Sequence, residues 1–278
     1  IVGGDQTMMR ALYTAASGMR AQQTNVDNIS NNIANVNTTA FKSQKTEFKS
    51  LLYQTIQTRT TSANGEEKPI GAQVGLGTRV ASNTTSYTQG ALLEDESKSA
   101  FAIEGNGFFQ VRGANGTTYY TRNGNFNWSI GPTGTTLTNT DGYPVLDSNG
   151  NTIVLPNNVN SGKAVVTTDG QVGYYNNAGA YVSMNRTIGL SQFNNPAGLE
   201  KAGSNLLRAT NASGAALNEA TNANLTRSKI HQGYLEGSNV QVADEMVNLI
   251  VAQRAYQLNS KAITTSDDML EQANNLKR

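Results

Sequence analysis

Acidic residues stand side by side at three places in the chain, so paired carboxylates are the first chemistry to consider. The runs are Glu94-Asp95-Glu96, Asp244-Glu245 and Asp267-Asp268. A hydrolase that uses two carboxylates holds them on opposite sides of the bond that it cleaves. Neighbouring residues of a helix point in different directions, and acids beside turns or on helices are commonly solvated. The three runs are therefore interpreted as solvated surface acids.

Three further motifs lack the residues that would complete their chemistry. His231 is the only histidine and the chain has no cysteine, so a metal site would have neither a second imidazole nor a thiolate. Gly105-Asn-Gly107 has no Lys-Ser/Thr after it, so it is interpreted as a hairpin turn and not a phosphate loop. Ile1-Val2-Gly3-Gly4 resembles the start of mature chymotrypsin-like proteases, but their early histidine base and their Gly-Asp-Ser-Gly-Gly loop are missing. The sequence predicts no catalytic site, no cofactor and no metal.

Length and charge limit the class of protein. The 278 residues allow one large domain or two smaller ones, and 21 basic against 20 acidic groups leave a formal net charge of +1. This balance is too even for a polyanion-binding surface, so nucleic acid is not expected as a partner. No apolar run is long enough to span a membrane, and the N-terminal region lacks the blocks of a cleaved signal peptide. Residues 1–7, before Met8, are interpreted as a leader, an upstream start or a scar.

Residues 9–36 repeat with a helical period. Apolar side chains recur every seven residues, with a second set at companion positions and Gln22 as the polar exception. This pattern predicts a coiled-coil helix about 40 Å long, which needs a partner because an isolated amphipathic helix cannot bury its stripe. The predicted seam consists of Leu12, Met19, Val26 and Ile33, with Ala15, Ile29 and Val36 beside them.

The C-terminal residues repeat with the same period and supply that partner. One predicted stripe consists of Val242, Leu249, Tyr256, Ile263 and Leu270, joined by Met246. A second stripe, about half a turn away, consists of Val247, Val251, Ala255, Leu258, Ala262 and Met269. One stripe is expected to pack on the N-terminal helix, and the other stays exposed unless further copies cover it. The pattern predicts assembly; the alternative is a two-helix base packed beneath the middle of the chain.

Between residues 101 and 170 the period changes and turns become frequent. The intervening segments are rich in Thr, Tyr, Val and Phe, which favours an antiparallel all-β domain. Aromatic residues there are typical of a sheet core, but a glycan-binding β-protein with a stacking platform stays open as an alternative, as does a phage tail component. Six Asn-Gly or Asp-Gly pairs, each typical of a tight hairpin turn, begin at Asn106, Asn115, Asn123, Asp141, Asn149 and Asp169.

The predicted fold class is therefore α+β. Discontinuous N- and C-terminal coiled-coil helices flank an antiparallel all-β domain, with extended connectors between them. The predicted domains are a helical domain of residues 8–57 plus 232–278, a connector region of residues 58–100 plus 194–231, and a β-domain of residues 101–193. The connectors are assigned from their content of Gly, Ser, Thr, Asn and Ala.

Two long stretches carry a resemblance to a known family. Residues 9–42 (MRALYTAASGMRAQQTNVDNISNNIANVNTTAFK) and 233–263 (GYLEGSNVQVADEMVNLIVAQRAYQLNSKAI) resemble the terminal signatures of the bacterial flagellar rod and hook proteins. Residues 101–111 and 120–126 are also similar to that family, so the resemblance spans most of the chain. The overall length and the segment 48–56, with the Gly-rich stretch that follows it, resemble the distal rod subunit of the family. The distal subunit is preferred, with the proximal subunit and hook-like proteins as alternatives.

The resemblance implies a structural subunit that assembles helically into a hollow, torque-transmitting rod through which further subunits are exported. Its implied partners are further copies, proximal rod and hook proteins, the periplasmic and outer-membrane bushing rings and the flagellar type III export apparatus. Its implied location is the flagellar basal body, across the periplasm, reached without a cleaved signal peptide. The expected assembly interface consists of Leu12, Met19, Val26, Ile29, Ile33, Val242, Met246, Val247, Leu249, Val251, Tyr256, Leu258 and Ile263.

A turn is expected where the chain leaves the first helix. Asn35, Asn37, Phe41 and Lys42 form the signature of the family there, and simple helix termination is the competing role. Ala40 occupies a position where the family often has glycine. If the backbone has a positive φ at this point, Ala40 is strained by about 1 kcal/mol.

Overall fold

The computed structural model describes residues 2–57, 72–131, 134–156, 159–176 and 179–275. Two long helices, α1 (Val2–Ala34) and α2 (Val242–Asn275), stand near the two ends of the chain, and antiparallel strands lie between them. The predicted α+β class is thereby confirmed. The first helix begins at Val2 and so includes residues 2–7, whose origin as a leader, an upstream start or a scar stays a prediction.

The strands are short. In chain order they are β1 (Gln44–Ser50), β2 (Tyr53–Gln57), β3 (Ala72–Gly75), β4 (Thr78–Thr85), β5 (Leu92–Glu94), β6 (Phe101–Glu104), β7 (Phe108–Arg112), β8 (Thr118–Thr121), β9 (Phe126–Gly131), β10 (Gly134–Asn139), β11 (Val154–Leu155), β12 (Ala164–Val166), β13 (Gln171–Tyr175), β14 (Tyr181–Thr187), β15 (Leu190–Gln192), β16 (Glu200–Gly203), β17 (Leu206–Arg208), β18 (Leu217–Asn218), β19 (Lys229–Gln232) and β20 (Tyr234–Glu236).

The chain divides into two compact units. Unit 1 takes Ile1–Ala34, Gln44–Thr85 and Gln241–Arg278, and unit 2 takes Asn35–Ser43 and Ser86–Val240. This division differs from the predicted domains. The predicted connector 194–231 carries strands β16 to β19, because Leu199, Leu206 and Leu207 bury their side chains in unit 2. The other connector contributes β3 and β4 to unit 1 and β5 to unit 2, while residues 58–71 lie outside the described residues.

Unit 1 is built on the two helices. The side chain of Asn259 in α2 lies against Gly18 in α1, and that of Glu245 lies against Asn32. Residue numbers therefore fall along α2 as they rise along α1, so the two helices are antiparallel. Two ribbons complete the unit: β1 pairs with β4, and β2 pairs with β3.

Unit 2 contains the main sheet and the larger core. Its six-stranded sheet has the order β16-β17-β8-β7-β15-β18, and the sheets β11-β10-β9 and β12-β13-β14 have three strands each. Strand β19 pairs with β6, and β20 pairs with β5. Aromatic and branched side chains suit the half-buried face of a pleated sheet, and they fill the core here. Its members include Phe101, Ile103, Phe109, Phe126, Leu137 and Ile230.

Four of the six predicted turns place a glycine at positive φ. They are Gly116, Gly142, Gly150 and Gly170, with φ between +74° and +83°. The other two pairs differ from the prediction. Before Asn106, Gly105 takes the positive φ of +131°, so the left-handed residue precedes the pair. After Asn123, a β-carbon on Gly124 would lie only 1.6 Å from the carbonyl oxygen of Phe101, so this glycine permits a close backbone approach.

Candidate assembly surface

Helix α2 buries very little of itself. Ala252 is the only buried residue of this 34-residue helix. In the described part of α1, the buried apolar residues are Ala15, Ala21 and Ile29. A single copy therefore covers only a narrow strip of α2, whereas α1 is covered more widely.

The seam between the helices consists mainly of small and polar residues. Ala252 is buried, and the half-buried side chains of α2 that follow the same helical spacing are Glu245, Leu249, Ala255, Asn259, Ile263, Ser266 and Leu270. Of the predicted first stripe, Leu249, Ile263 and Leu270 lie on this seam. Val242, Met246 and Tyr256 are instead 40%, 56% and 42% exposed. The prediction placed large apolar residues in the seam. In the structure, most of the seam residues of α2 are small or polar.

The predicted second stripe lies on an uncovered shoulder of α2. Val247, Val251, Leu258 and Met269 are 60%, 62%, 69% and 54% exposed, and Ala262 is also exposed. Ala255, which was assigned to this stripe, is half-buried nearer the seam. A contiguous apolar face on a soluble helix marks an interaction surface more often than an accident of composition.

The predicted residues of α1 are covered to different degrees. Ile29 is 5% exposed, whereas Leu12, Met19, Val26 and Ile33 are half-buried. A groove of about 400 Å³ runs beside these helices; it is lined by Gln23, Val26, Asp27, Gln253, Tyr256 and Gln257. Val26 and Tyr256 thus line open space in one copy.

Asn32 of α1 makes one hydrogen bond to α2 and two to β1. The side-chain amide of Asn32, 1% exposed, donates to the carbonyl of Gln44 at 2.8 Å and to Oε1 of Glu245 at 3.2 Å. Its Oδ1 accepts from the backbone N–H of Gln44 at 3.0 Å. Burial raises the pKa of Glu245, and the hydrogen bond from Asn32 offsets part of that shift.

The signature turn belongs to unit 2, and its residues have separate roles. Asn35 ends α1: its carbonyl and its Oδ1 accept from the backbone N–H and the hydroxyl of Thr38, both at 3.1 Å. Asn37 is exposed and Phe41 is half-buried. Lys42 is 6% exposed, and its ammonium donates to Oε1 of Glu236 at 2.6 Å and to the carbonyl of Thr88 at 2.7 Å. The turn both terminates the helix and inserts a cation into unit 2.

Glu236 is the centre of a buried charge cluster that the sequence reasoning missed. It is 1% exposed and accepts from Lys42, from Nε of Arg122 at 3.0 Å and from the backbone N–H of Gly90 at 3.0 Å. Burial alone would raise the pKa of Glu236, but Arg122 and Lys42 outweigh it and hold the pKa low. Burial lowers the pKa of Lys42. The one feature of the sequence that could have identified Glu236 is its position as a lone charged residue next to the apolar Leu235.

Ala40 has a φ of +57°, in the left-handed region. Its side chain is 7% exposed, and its N–H donates to the carbonyl of Glu236 at 2.8 Å. The strain predicted for a positive φ at this position is therefore present, and the hydrogen bond to Glu236 holds the backbone there.

The acidic runs and the histidine that were considered as catalytic or metal-binding residues do not form a common site among the described residues. Glu94, Glu96, Asp244, Asp267 and Asp268 are exposed. In its surface position, Nε2 of His231 lies 2.8 Å from Oε2 of Glu104. Within the described ranges, no group of three or more His, Cys, Asp or Glu residues is placed to hold a metal ion. Neither described helix is long and apolar enough to cross a membrane.

A well-packed β unit joined to a helix pair with an open apolar face is typical of a structural protein. Comparison with known families gives that class a name. The model described as "Flagella basal body rod protein" matches residues 12–42, "Flagellar hook protein FlgE/F/G D1 domain" matches residues 102–174, and "Flagellar basal body rod FlgEFG protein C-terminal" matches residues 231–276. The two terminal matches contain the signature turn and α2.

Full-length relatives agree. The flagellar basal-body rod protein FlgG of Borreliella burgdorferi is 43% identical over 272 residues, covering 98% of this chain and 100% of that protein. The FlgG protein of Bacillus subtilis is 39% identical over 271 residues, with the same coverage. FlhP of Bacillus subtilis, a flagellar hook-basal body complex protein, is 32% identical over 284 residues, covering 97% of this chain. The chain belongs to the flagellar basal-body rod protein FlgG family, and it is a structural subunit of the rod.

Proposed function

We propose that this chain assembles helically into a hollow shaft that transmits torque in the distal part of the flagellar rod. Exported subunits pass along its channel, and the chain itself has no catalytic activity. The observation that supports this proposal is that a single copy buries only Ala252 of the 34-residue helix α2. Since a helix needs a covered apolar face for stability in water, the remaining surface of α2 calls for neighbouring copies.

The uncovered shoulder of α2 is apolar enough to drive association. Burying a Val, Leu or Met side chain completely is worth about 1.5–3 kcal/mol. Val251 and Leu258 are 62% and 69% exposed, so most of this free energy is unused in one copy. Bringing two chains together costs roughly 4–15 kcal/mol, so several such contacts along the helix are needed to hold neighbouring copies.

The position of the groove favours an open assembly over a closed dimer. At 100° per residue, Gln253 and Gln257 fall on one shoulder of α2, while Val251 and Leu258 fall on the other. A stripe that enters the groove of the next copy therefore makes a head-to-tail contact, with different surfaces on the two partners. Contacts of this kind continue into rings or helical assemblies, whereas a two-fold dimer would use the same surface twice.

A shaft built in this way is stiff because close-packed apolar seams resist shear. Its proposed partners are further copies, proximal rod and hook proteins, the bushing rings of the periplasm and outer membrane, and the flagellar type III export apparatus. Its proposed location is the basal body, across the periplasm, without a cleaved signal peptide. These assignments rest on the family relationship and on the open face of α2.

The test compares two substitutions at one position of α2. Val251→Asp places a charge in the proposed seam, and we expect it to abolish tubes in electron micrographs and leave a monomer in analytical ultracentrifugation. The matched control is Val251→Leu, which keeps this exposed position apolar and is expected to leave the tubes intact. Trp128, the only tryptophan, packs against the core of unit 2 and reports by fluorescence that the β unit stays folded. Tubes formed by Val251→Asp as readily as by the wild type would overturn the proposal.

A further inference from the structure

Asn-Gly pairs are chemically labile as well as good turn formers. Glycine has no side chain to obstruct its backbone nitrogen, so this nitrogen can reach the side-chain carbonyl carbon of the preceding asparagine. A fifth pair in the sequence, Asn64-Gly65, lies outside the described residues. The four pairs that the structure describes have very different surroundings; they begin at Asn106, Asn115, Asn123 and Asn149.

Two of the pairs are held by the interior of unit 2. Gly107 is buried, and its N–H donates to the hydroxyl of Ser228 at 3.0 Å. Gly124 is also buried, and its carbonyl accepts from the N–H of Phe101 at 3.0 Å. Neither glycine can reorient its backbone unless buried contacts break.

The pair at Asn149 is near the surface, but one buried acid fixes the backbone on both sides of it. Asp147 is 2% exposed, and its Oδ1 accepts from the N–H of Asn149 at 2.8 Å. The carbonyl of Asp147 accepts from the N–H of Gly150 at 3.0 Å. The guanidinium of Arg112 also donates to the carbonyl of Gly150. Rotation of this pair therefore disturbs several hydrogen bonds together.

The pair at Asn115 has the least support. It lies at the tip of the hairpin between β7 and β8, where residues 114–117 are all exposed. The N–H of Gly116 makes a single turn bond, to the carbonyl of Gly113 at 3.0 Å. The Asn115 side chain makes no hydrogen bond to another described residue, and a β-carbon on Gly116 would meet nothing within 4 Å. An exposed hairpin tip opens locally at a much lower free energy than a core does.

We propose that Asn115 is a site of self-modification, at which the side-chain amide is replaced by a carboxylate. Hydroxide removes the proton from the N–H of Gly116, and this nitrogen attacks Cγ of Asn115. The bond between Cγ and the side-chain nitrogen breaks, and that nitrogen takes a proton from water and leaves as ammonia. The product is a five-membered succinimide.

Water then opens the succinimide ring at either of its two carbonyl carbons. One opening gives aspartate, and the other gives isoaspartate, in which the main chain runs through the former side chain. The net reaction consumes one water molecule and releases one ammonia molecule. It needs neither an enzyme nor an oxidant.

The modification changes the charge and the shape of this turn. The chain has a formal net charge of +1, so one added carboxylate makes it neutral. Isoaspartate also adds a methylene group to the main chain at the hairpin tip. Because residues 114–117 are exposed, the core of unit 2 is expected to stay folded. The inference is independent of the proposed function, since the reaction involves a single turn of one copy.

The test follows each Asn-Gly pair separately in the full chain. The wild type is kept for several days at mildly alkaline pH, and peptide mapping by mass spectrometry measures the conversion of each asparagine. Fragmentation by electron transfer distinguishes isoaspartate from aspartate, and isoaspartate identifies the succinimide route. Asn115 is expected to react about tenfold faster or more than Asn106, Asn123 and Asn149.

Two comparisons test whether the fold sets this order. In guanidinium chloride the chain is unfolded, so the four pairs lose their different surroundings and should react at similar rates. Asn115→Gln lengthens the side chain, and attack would then form a less favourable six-membered ring. This variant should lose most of the isoaspartate that the four described pairs form in the wild type, whereas the matched control Asn149→Gln should keep it. Trp128 fluorescence reports whether both variants are folded.

Reaction at Asn106, Asn123 or Asn149 that is as fast as at Asn115 in the folded chain overturns the proposal. The same order of rates in guanidinium chloride also overturns it, because the sequence and not the fold would then set the order. Conversion of Asn115 to aspartate without isoaspartate counts against it as well, since direct hydrolysis does not involve Gly116. The wild-type rates decide the outcome even if a variant fails to fold.

Discussion

The side-chain amide of Asn259 lies directly against the backbone of Gly18. A β-carbon placed on Gly18 would lie 2.9 Å from Nδ2 of Asn259, closer than β-carbons are found to other atoms. The glycine therefore leaves room for the Asn259 side chain at this point of the seam.

Replacing this glycine with a branched residue should destabilise the helix pair. Gly18→Val forces the end of the Asn259 side chain away, and overpacking that only a flexible side chain has to relieve costs about 1 kcal/mol. The expected result is a lower melting temperature of the helical circular dichroism signal. Ala11→Val is the control, because Ala11 is exposed on the same helix. Equal melting temperatures for the two variants would contradict a close approach at Gly18.

The seam shows what the sequence pattern could and could not predict. The heptad spacing correctly predicted two long helices, since the period of an apolar stripe depends only on helix geometry. It did not single out Ala252 and Asn259 as contact residues, because small and polar side chains carry no hydrophobic signal. The exposed second stripe at Val251 and Leu258 was predicted because it is apolar; whether it is an interface remains a prediction.

Glu245 gives the helix pair a dependence on pH. Burial raises its pKa, so the folded state holds a proton more tightly than the unfolded chain does. Stability contributed by this group is therefore greatest at low pH and is lost as the pH rises through the raised pKa. We expect the melting temperature of the helices to rise between pH 7 and pH 5, on the order of a few degrees at most because Glu245 is partly exposed.

The variant Glu245→Gln keeps an acceptor for Asn32 and removes the charge. Its melting temperature should change less over the same pH range than that of the wild type, and at pH 7 it should equal or exceed the wild-type value. Glu271→Gln, an exposed acid near the end of α2, should leave the pH dependence as it is. A wild-type helix pair whose melting temperature falls between pH 7 and pH 5 would refute the sign of this effect.

Two substitutions of Ala40 measure the effects of backbone strain and of packing separately. Its φ of +57° costs about 1–2 kcal/mol for an alanine, and glycine would relieve this. Glycine also raises the entropy of the unfolded chain, which offsets about 0.4–1 kcal/mol. Ala40→Gly should therefore change the free energy of unfolding of unit 2 by less than about 1 kcal/mol.

A branched residue at the same position should have a much larger effect. Ala40→Val adds strain at positive φ and also overpacks a site that is only 7% exposed, so a loss of about 2 kcal/mol or more is expected. Denaturant unfolding followed by Trp128 fluorescence measures both variants, with Ala91→Val at an exposed position as the control. A valine variant as stable as the alanine protein would show that the turn relaxes to another conformation in solution.

The charge cluster could not be predicted because its members are far apart in sequence. Lys42, Arg122 and Glu236 each appear as a single charge in its segment, and only the pairing of β20 with β5 and the path of the signature turn bring them together. Single-sequence periodicity has no access to such long-range contacts. The family signature identified Lys42 as a residue of interest but not its partner.

Removing the acid at the centre of this cluster leaves two buried cations without a counter-ion. Breaking a buried pair in this way costs about 3–5 kcal/mol, so Glu236→Gln should lose a large share of the stability of unit 2. The comparison is Glu200→Gln at the ion pair with Arg208, where both side chains are 54% exposed and the loss of stability should be much smaller because water screens the pair. Trp128 fluorescence in denaturant measures the two free energies of unfolding.

The same cluster makes the stability of unit 2 depend on pH. Since the Glu236 pKa is held low, the wild type should lose stability as the pH falls below about 4.5, and Glu236→Gln should lose less over that range. Similar losses for the two substitutions at neutral pH would mean that Lys42 and Arg122 reach water when Glu236 is gone, and that the cluster is not a closed core.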